Sequence, residues 1–447
     1  MDHSKTKEAL PDTEQPTARW AGSSRRQFLK TSAIATAAGA LLGKRSFAAA
    51  RPIKIGYVSP ETGMLAAFGE TDNFVVSEFR KSVAGGVMAG GTQRPIEVLV
   101  RDSQSSSNRA AQVAAELIKS DKVDLMLAAG TPDTVNPVAD QCEINGVPCV
   151  SSDTPWQAYF FGRGGDPEKG FNWTYHFCFG LDFVSEIFAN IAGLLPTNKV
   201  VGALWPNDND GVIFADKKTG APPIFEKHGF TVFDAGRFQV TDTDFEAEVS
   251  ALKEAKAEIL TGIIPPPTMS TFWAQAGQQG YKPKIVVIGK ALLFPAAINA
   301  LGDRGKNLCS DCWWSPFHPF KSGLTGQSSA QLCDAYENIA KKQWTQPLGF
   351  RHALFEVAVD VIKRTKDDSP ASIIEAVRTT KYNSIVGPVQ WLGPPPDQWT
   401  KIPNKNVCTT PDVGAQWIPG KKWPYDLTIV SNDTYPAIPV QRKLAPL

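Results

Sequence analysis

Histidine is scarce, with five in 447 residues. Four lie beyond the first 50 residues, His176, His228, His318 and His352, and they stand too far apart for a paired metal-ligand spacing. Long apolar runs are missing as well: no stretch past residue 50 approaches the roughly 20 consecutive apolar residues of a membrane-spanning helix. A one-signed charge is also missing, since 46 Lys and Arg face 45 Asp and Glu. Without a basic excess, no nucleic-acid partner is expected. The chain has no Walker loop, no HExxH, no GxSxG and no dinucleotide fingerprint in a strand–turn–helix setting. The glycine-rich GGVMAGG, Gly85 to Gly91, precedes a strand and reads as a flexible loop. No cofactor and no metal are expected.

Seven cysteines are present, all beyond residue 50. An odd number leaves at least one thiol unpaired within the chain. Cys142 and Cys149 flank the short segment EINGVP and are candidates for a bridge in an oxidising compartment. Cys309, Cys312, His318 and Cys333 offer a loose zinc-like set. Buried free cysteines or ordinary disulfides are the plainer alternatives for the second group.

The N-terminus reads as an address. SSRRQFLK, Ser23 to Lys30, precedes a short alanine-rich run from Ala33 to Leu42, and Ala48-x-Ala50 offers a cleavage site before Arg51. The Arg-Arg pair followed by Phe28 and Leu29 resembles a bacterial twin-arginine (Tat) signal. This resemblance implies export of a folded chain by the Tat machinery, with cleavage near Ala50 and a periplasmic destination. No cysteine follows the site, so no lipid anchor is expected. Removing the leader's eight basic and four acidic residues leaves 38 and 41, a small acidic balance over 397 residues. That length accommodates two ordinary domains.

Beyond the leader, β-branched runs alternate with helix-patterned segments. IKIGYVSP, PIEVLVRD, VDLMLAAG and GVPCVSS read as strands, separated by helices such as RAAQVAAELIKS and DTVNPVADQCEIN. The alternation resumes with the helix LDFVSEIFANIAGLL and the strands KVVGALWP, FTVFDAG, EILTGII and KIVVIG. Strands in such order predict an α/β fold with parallel sheets covered on both faces. After Cys309 come an aromatic loop or strand, WWSPFHPF, and three helices, near Ala330–Lys342, Phe350–Arg364 and in ASIIEAVRTT. SIVGPVQW looks like a further strand, and the Pro- and Trp-rich region after Pro394 is expected to hold one last strand.

Four segments, IKIGYVSPETGMLAAFGE, VDLMLAAGTPDTVNPVADQCEINGVPCVSSDTP, FGLDF and IVGPVQW, together resemble type I periplasmic binding proteins of the leucine/isoleucine/valine-binding branch. The likeness runs over nearly all of residues 51–400. It implies two Rossmann-like lobes joined by three crossovers, with residues 51–179 plus 310–386 in lobe one and 180–309 plus 387–447 in lobe two. It further implies a small-molecule ligand in the cleft and an inner-membrane ABC permease as partner, with the protein acting as a monomer. The ligand expected is amino-acid-like or a carboxylic acid.

Candidate ligand contacts follow from the loops that end the strands. Thr131, Asp133 and Thr134 start a helix, where free N–H groups favour anions, although capping alone accounts for Asp133 or Thr131. Ser152, Asp153, Thr154 and Trp156 follow the next strand, where the family places donors to a ligand carboxylate. Phe68 matches the family's aromatic lid, with an ordinary core ring as the alternative. On the facing lobe, Asp210 in the NDNDG turn stands near the position where relatives carry Tyr. Lys290 stands near the position where the family's amino-acid binders carry an acidic residue. That departure suggests a preference for an acid without a free α-amine. Two other classes remain open from sequence: a Tat-exported enzyme, and a sensor of the same fold that signals to a regulatory protein.

Overall fold

The computed structural model describes residues 51–391 and 406–447. The export leader, its cleavage near Ala50 and residues 392–405 of the Pro-rich stretch lie outside them.

Two separate sheets organise the chain. The first uses β1 (Ile53–Ser59), β2 (Ile96–Asp102), β3 (Leu125–Ala129), β4 (Cys149–Ser152) and β5 (Thr174–Phe177), and later β11 (Val407–Cys408), in the order β11-β5-β4-β3-β1-β2. Every neighbouring pair is parallel. The second contains β6 (Val200–Pro206), β7 (Thr231–Phe238), β8 (Ile259–Ile264), β9 (Ile285–Lys290), β10 (Cys309–Cys312), β12 (Val413–Pro419) and β13 (Tyr425–Ser431). Its order is β13-β12-β10-β9-β8-β6-β7, with β12 and β13 antiparallel at one side. β3 and β8 are buried along their whole length, as strands covered on both faces require.

Helices cover both sheets. α1 (Asp72–Ser82), α2 (Ser107–Glu116) and α3 (Pro132–Asn145) follow β1, β2 and β3, and α4 (Leu181–Gly193) packs on the second sheet. α5 (Asn209–Phe214) and the separate helix Ala221–Lys227 divide what the sequence suggests is one proline-interrupted helix. α6 (Pro347–Arg364) is buried over most of its 18 residues and covers the first sheet. Its approach depends on Gly349, where an added Cβ would lie 2.3 Å from the Trp314 ring.

Three passages join the sheets: between β5 and α4, after β10, and at residues 409–412 between β11 and β12. The first and third run side by side, with Cys178 N–H donating to the Cys408 carbonyl (3.0 Å) and Thr410 N–H to the Cys178 carbonyl (3.3 Å).

Several local expectations change. GGVMAGG is no loose loop: Val87–Ala89 and Thr92–Arg94 pair as a hairpin. SIVGPVQW is half of another hairpin, Gly387–Gln390 against Lys381–Ser384. The C-terminal region holds two long strands rather than one, because β12 is zipped between β10 and β13. Cys142 and Cys149 are free thiols, as are the other five cysteines, and all seven are buried. Among the described residues, no group of three or more His, Cys, Asp or Glu is placed to hold a metal ion, and no helix is long and apolar enough to cross a membrane.

Candidate functional site

The carboxyl ends of both sheets' parallel strands face a common narrow cavity. From the first sheet come Phe68 after β1, Thr131 and Pro132 after β3, Asp153 and Pro155 after β4, and Phe179 after β5. From the second come Asp210 and Phe214 on α5, Gly289 and Lys290 closing β9, and Asp311 in β10. Trp313 forms a further wall. This is the crevice where open α/β sheets bind ligands.

On the first-sheet side, the walls are held from behind by Arg351 of α6, which is fully buried. Its Nε donates to Asp72 Oδ1 (3.0 Å), Nη2 to the Phe68 carbonyl (2.9 Å), and Nη1 to Asp153 Oδ2. Tyr57 Oη also donates to Asp72 Oδ1 (2.9 Å). One cation thus ties a strand-end carboxylate, a helix-start carboxylate and the backbone of a wall residue. Asp153 has φ +74°, a left-handed conformation that aspartate tolerates better than most residues. Burial lifts the Asp153 carboxyl to about 6 against the pull of Arg351, and burial likewise raises that of Asp72.

The second-sheet side repeats the ratio. Lys290 Nζ lies 2.7 Å from Asp208 Oδ2 and 2.7 Å from Asp210 Oδ2. Burial works to lower the Lys290 pKa, but the two carboxylates outweigh it and the net shift is upward. Burial lifts Asp210 to about 6, partly offset by Lys290. The Asp210 Oδ1 atom is buried without a hydrogen-bond partner in the protein, as are Thr131 Oγ1 and Trp313 Nε1. Burial also raises Asp311 to about 6 and sends Asp412, in the third passage, well above the usual carboxyl range, with Asp311's charge adding to the effect.

The two sides touch at the cavity's edges. Asn209 Nδ2 donates to Asp133 Oδ1 (2.6 Å), and the Phe68 ring meets Phe294 edge to face at 4.9 Å.

Of the residues singled out from sequence, the cavity brings together Phe68, Thr131, Asp153, Asp210 and Lys290. Five others are not among its walls. Asp133 bridges the sides through Asn209, with burial raising its carboxyl. Thr134 Oγ1 donates to the Thr131 carbonyl (3.2 Å), Ser152 Oγ to Asp153 Oδ1 (3.0 Å), and Thr154 Oγ1 to the Gly130 carbonyl (3.2 Å). Trp156 is buried beside Phe161. The reading of Lys290 as a free cation waiting for an acid needs correction, because its ammonium already serves two carboxylates. Arg351, Asp311 and Trp313 escaped the sequence reading. An arginine inside the apolar helix run GFRHALFEVAV was the available signal, since a buried guanidinium demands acidic partners.

A family model described as "Periplasmic binding protein" matches residues 52–398, and one for the twin-arginine translocation signal matches residues 22–42. Among solved structures, the leucine-binding protein LivK of Thermotoga maritima is 19% identical, with a TM-score of 0.65 over 85% of this chain and 99% of that one. LivJ of Streptococcus pneumoniae, a branched-chain amino acid transporter substrate-binding protein in complex with isoleucine, is 18% identical, with a TM-score of 0.64 over 85% and 99%. An ABC-transporter solute-binding protein of Rhodopseudomonas palustris, in complex with 4-hydroxybenzoate, is 18% identical, with a TM-score of 0.67 over 86% and 98%. At these identities the likeness establishes a shared fold. With the family model spanning most of the chain, and the export signal ahead of it, the chain belongs to the periplasmic binding protein family and is sent to the periplasm by the Tat pathway.

Proposed function

We propose that this chain is the solute receptor of an ABC importer and has no catalytic step of its own. In this reading, each sheet with its helices is one lobe, with residues 51–179, 313–391 and 406–408 in the first and 180–312 and 409–447 in the second; the bounds differ from the 310–386 and 387–447 expected from sequence because β10 pairs in the second sheet and β11 in the first. A small solute with an apolar body enters between them, and the monomer closes and offers its liganded face to an inner-membrane permease. One observation carries the proposal: a single cavity draws its walls from the strand ends of both sheets, across three chain passages. Phe68, Phe179, Phe214 and Trp313 suit the apolar body, and the polar groups beside them orient it. The solutes carried by the similar structures, leucine-type amino acids and hydroxylated benzoates, mark the size class. They also leave two chemistries to separate, an amino-acid-like solute and a carboxylic acid.

The test is thermal unfolding of the mature chain against amino acids, their amides, the matching amines and the matching acids. A solute at a hundred times its dissociation constant stabilises the folded state by about 2.7 kcal/mol, a measurable shift. Stabilisation by one class supports a receptor. Absence of any shift across all classes, with no small molecule released from the purified protein on denaturation, contradicts it.

A further inference from the structure

The charge on the cavity walls narrows the solute further, resting on the receptor reading above. Each side holds one cation shared by two carboxylates: Arg351 with Asp72 and Asp153, and Lys290 with Asp208 and Asp210. With every group in its charged form, each cluster carries a net single negative charge. Asp133 stands at the edge where the sides meet, and Asp311 lines the cavity without a cationic partner. Closing the cleft therefore brings two walls of like sign together in a region from which water is excluded, which is costly unless a positive charge lies between them.

Among the described residues, the same walls offer an anion no free cation, and their unpaired side-chain donors are the neutral Trp313 Nε1–H and Thr131 hydroxyl. Pro132, the first residue of α3, has no N–H, and the N–H groups of Thr134 and Val135 both turn to the Thr131 carbonyl (3.0 and 2.9 Å). Asp133 places a carboxylate at this helix start. In the next loop Asp153 adds another anion, and Pro155 lacks an N–H. The Arg351 side chain spends all three nitrogens on protein acceptors. An incoming carboxylate finds no unpaired cation among the described wall residues. By contrast, Asp210 Oδ1 is an acceptor with no partner, Thr131 Oγ1 is an unpaired hydroxyl that can also accept, and four aromatic rings line the cavity.

We infer that the cleft selects a protonated primary amine on an apolar body whose acid group is missing or masked, with its N–H bonded to Asp210 Oδ1. An N–H is required because that oxygen is otherwise left buried without a hydrogen bond. A quaternary ammonium, which has no N–H, is a weaker fit.

The test is isothermal titration of the mature protein at pH 7.5 with matched triads. One is leucinamide, leucine and 4-methylpentanoate, and the other is phenethylamine, phenylalanine and 3-phenylpropanoate. Trimethyl(phenethyl)ammonium is a further probe. The amine member of at least one triad is expected to bind at least about tenfold tighter than its zwitterion and its acid, and phenethylamine tighter than its trimethylated form. Asp210→Asn, which leaves Lys290 paired with Asp208, is expected to weaken the amine at least about tenfold while its unfolding midpoint stays near wild type. Tighter binding of a zwitterion or an acid overturns the amine inference and leaves the receptor reading standing. An Asp210→Asn protein that is folded and binds the amine as well as wild type also overturns it. No binding by any member also overturns the amine inference, while the receptor reading stands or falls on the broader unfolding panel and on any small molecule released from the purified protein.

Discussion

Arg351→Met keeps much of the side-chain volume of a fully buried residue and removes its charge and three hydrogen bonds. Asp72 and Asp153 then remain buried without a cation. Breaking a buried ion pair by removing one partner costs about 3–5 kcal/mol, a large share of the roughly 5–15 kcal/mol that holds a typical domain together. The loss carries a pH signature. Burial already places the Asp153 carboxyl at about 6, against Arg351's pull, and raises that of Asp72. Without Arg351 both rise further, so the folded variant takes up protons at a pH where the folded wild type does not. Stability gained from a raised carboxyl is lost as pH increases through its folded pKa, so the variant's deficit is greatest near pH 7.5. It narrows toward pH 6 by up to about 1.4 kcal/mol per pH unit for each proton taken up. Urea unfolding followed by circular dichroism at pH 7.5 and pH 6 measures both quantities. A deficit under about 1 kcal/mol at pH 7.5, or equal deficits at the two pH values, refutes the role given to the buried cation.

Three further outcomes are expected. Gly349→Ala drives a Cβ to 2.3 Å from the Trp314 ring, so α6 or the ring must shift, at about 1–3 kcal/mol in urea unfolding; a loss below about 0.5 kcal/mol contradicts the close packing. In the wild type, Asp153, Asp182, Asp210 and Asp311 have folded carboxyl pKa values of about 6, all raised first by burial. Their stabilising contribution is present in acid and lost as pH rises through about 6, whereas burial lowers His176 and His318 to about 3 and their contribution is lost as pH falls through about 6.5. Asp182→Asn removes one raised carboxyl only, so its melting temperature at pH 5.5 relative to pH 7.5 should fall below the wild-type difference, and an unchanged difference contradicts the burial argument. Thiol titration should find little reactivity in the folded chain and seven thiols after denaturation without reductant, whereas five would reveal a Cys142–Cys149 disulfide.

The layered α/β order was legible because β1, β6, β8 and β9 are compact runs rich in β-branched residues, and β3 is a short apolar run, LMLAA, ending at a turn glycine. Their pattern is local, and so is the rule that ligands meet such sheets at strand ends, which singles out Thr131 and Asp153; Phe68, Asp210 and Lys290 come from the family resemblance. β12 was not legible: VGAQWIP lacks strict alternation, and its strand character comes from being zipped between β10 and β13. The glycines of GGVMAGG suggested looseness, yet Gly90 takes φ +55° and Gly91 φ +74° in the turn of a hairpin. The charge partners were the least legible. Arg351 lies 279 residues from Asp72 and 198 from Asp153, and no local pattern encodes such separations. Lys290 was noticed for its sign alone, and only the fold brings Asp208 and Asp210 to it, which reverses the electrostatic conclusion drawn from the lysine by itself.

The most direct measurement is a crystal structure of the mature protein with the solute that stabilises it most. The expected result is one solute molecule between the sheets, touching Asp210 on one side and Thr131 or Asp153 on the other, with its apolar body against Phe68 or Trp313. A solute seated instead in the second cavity, between Phe74, Phe79, Leu332 and Phe355 on the first sheet's helical layer, with the cleft walls left untouched, would contradict the receptor account.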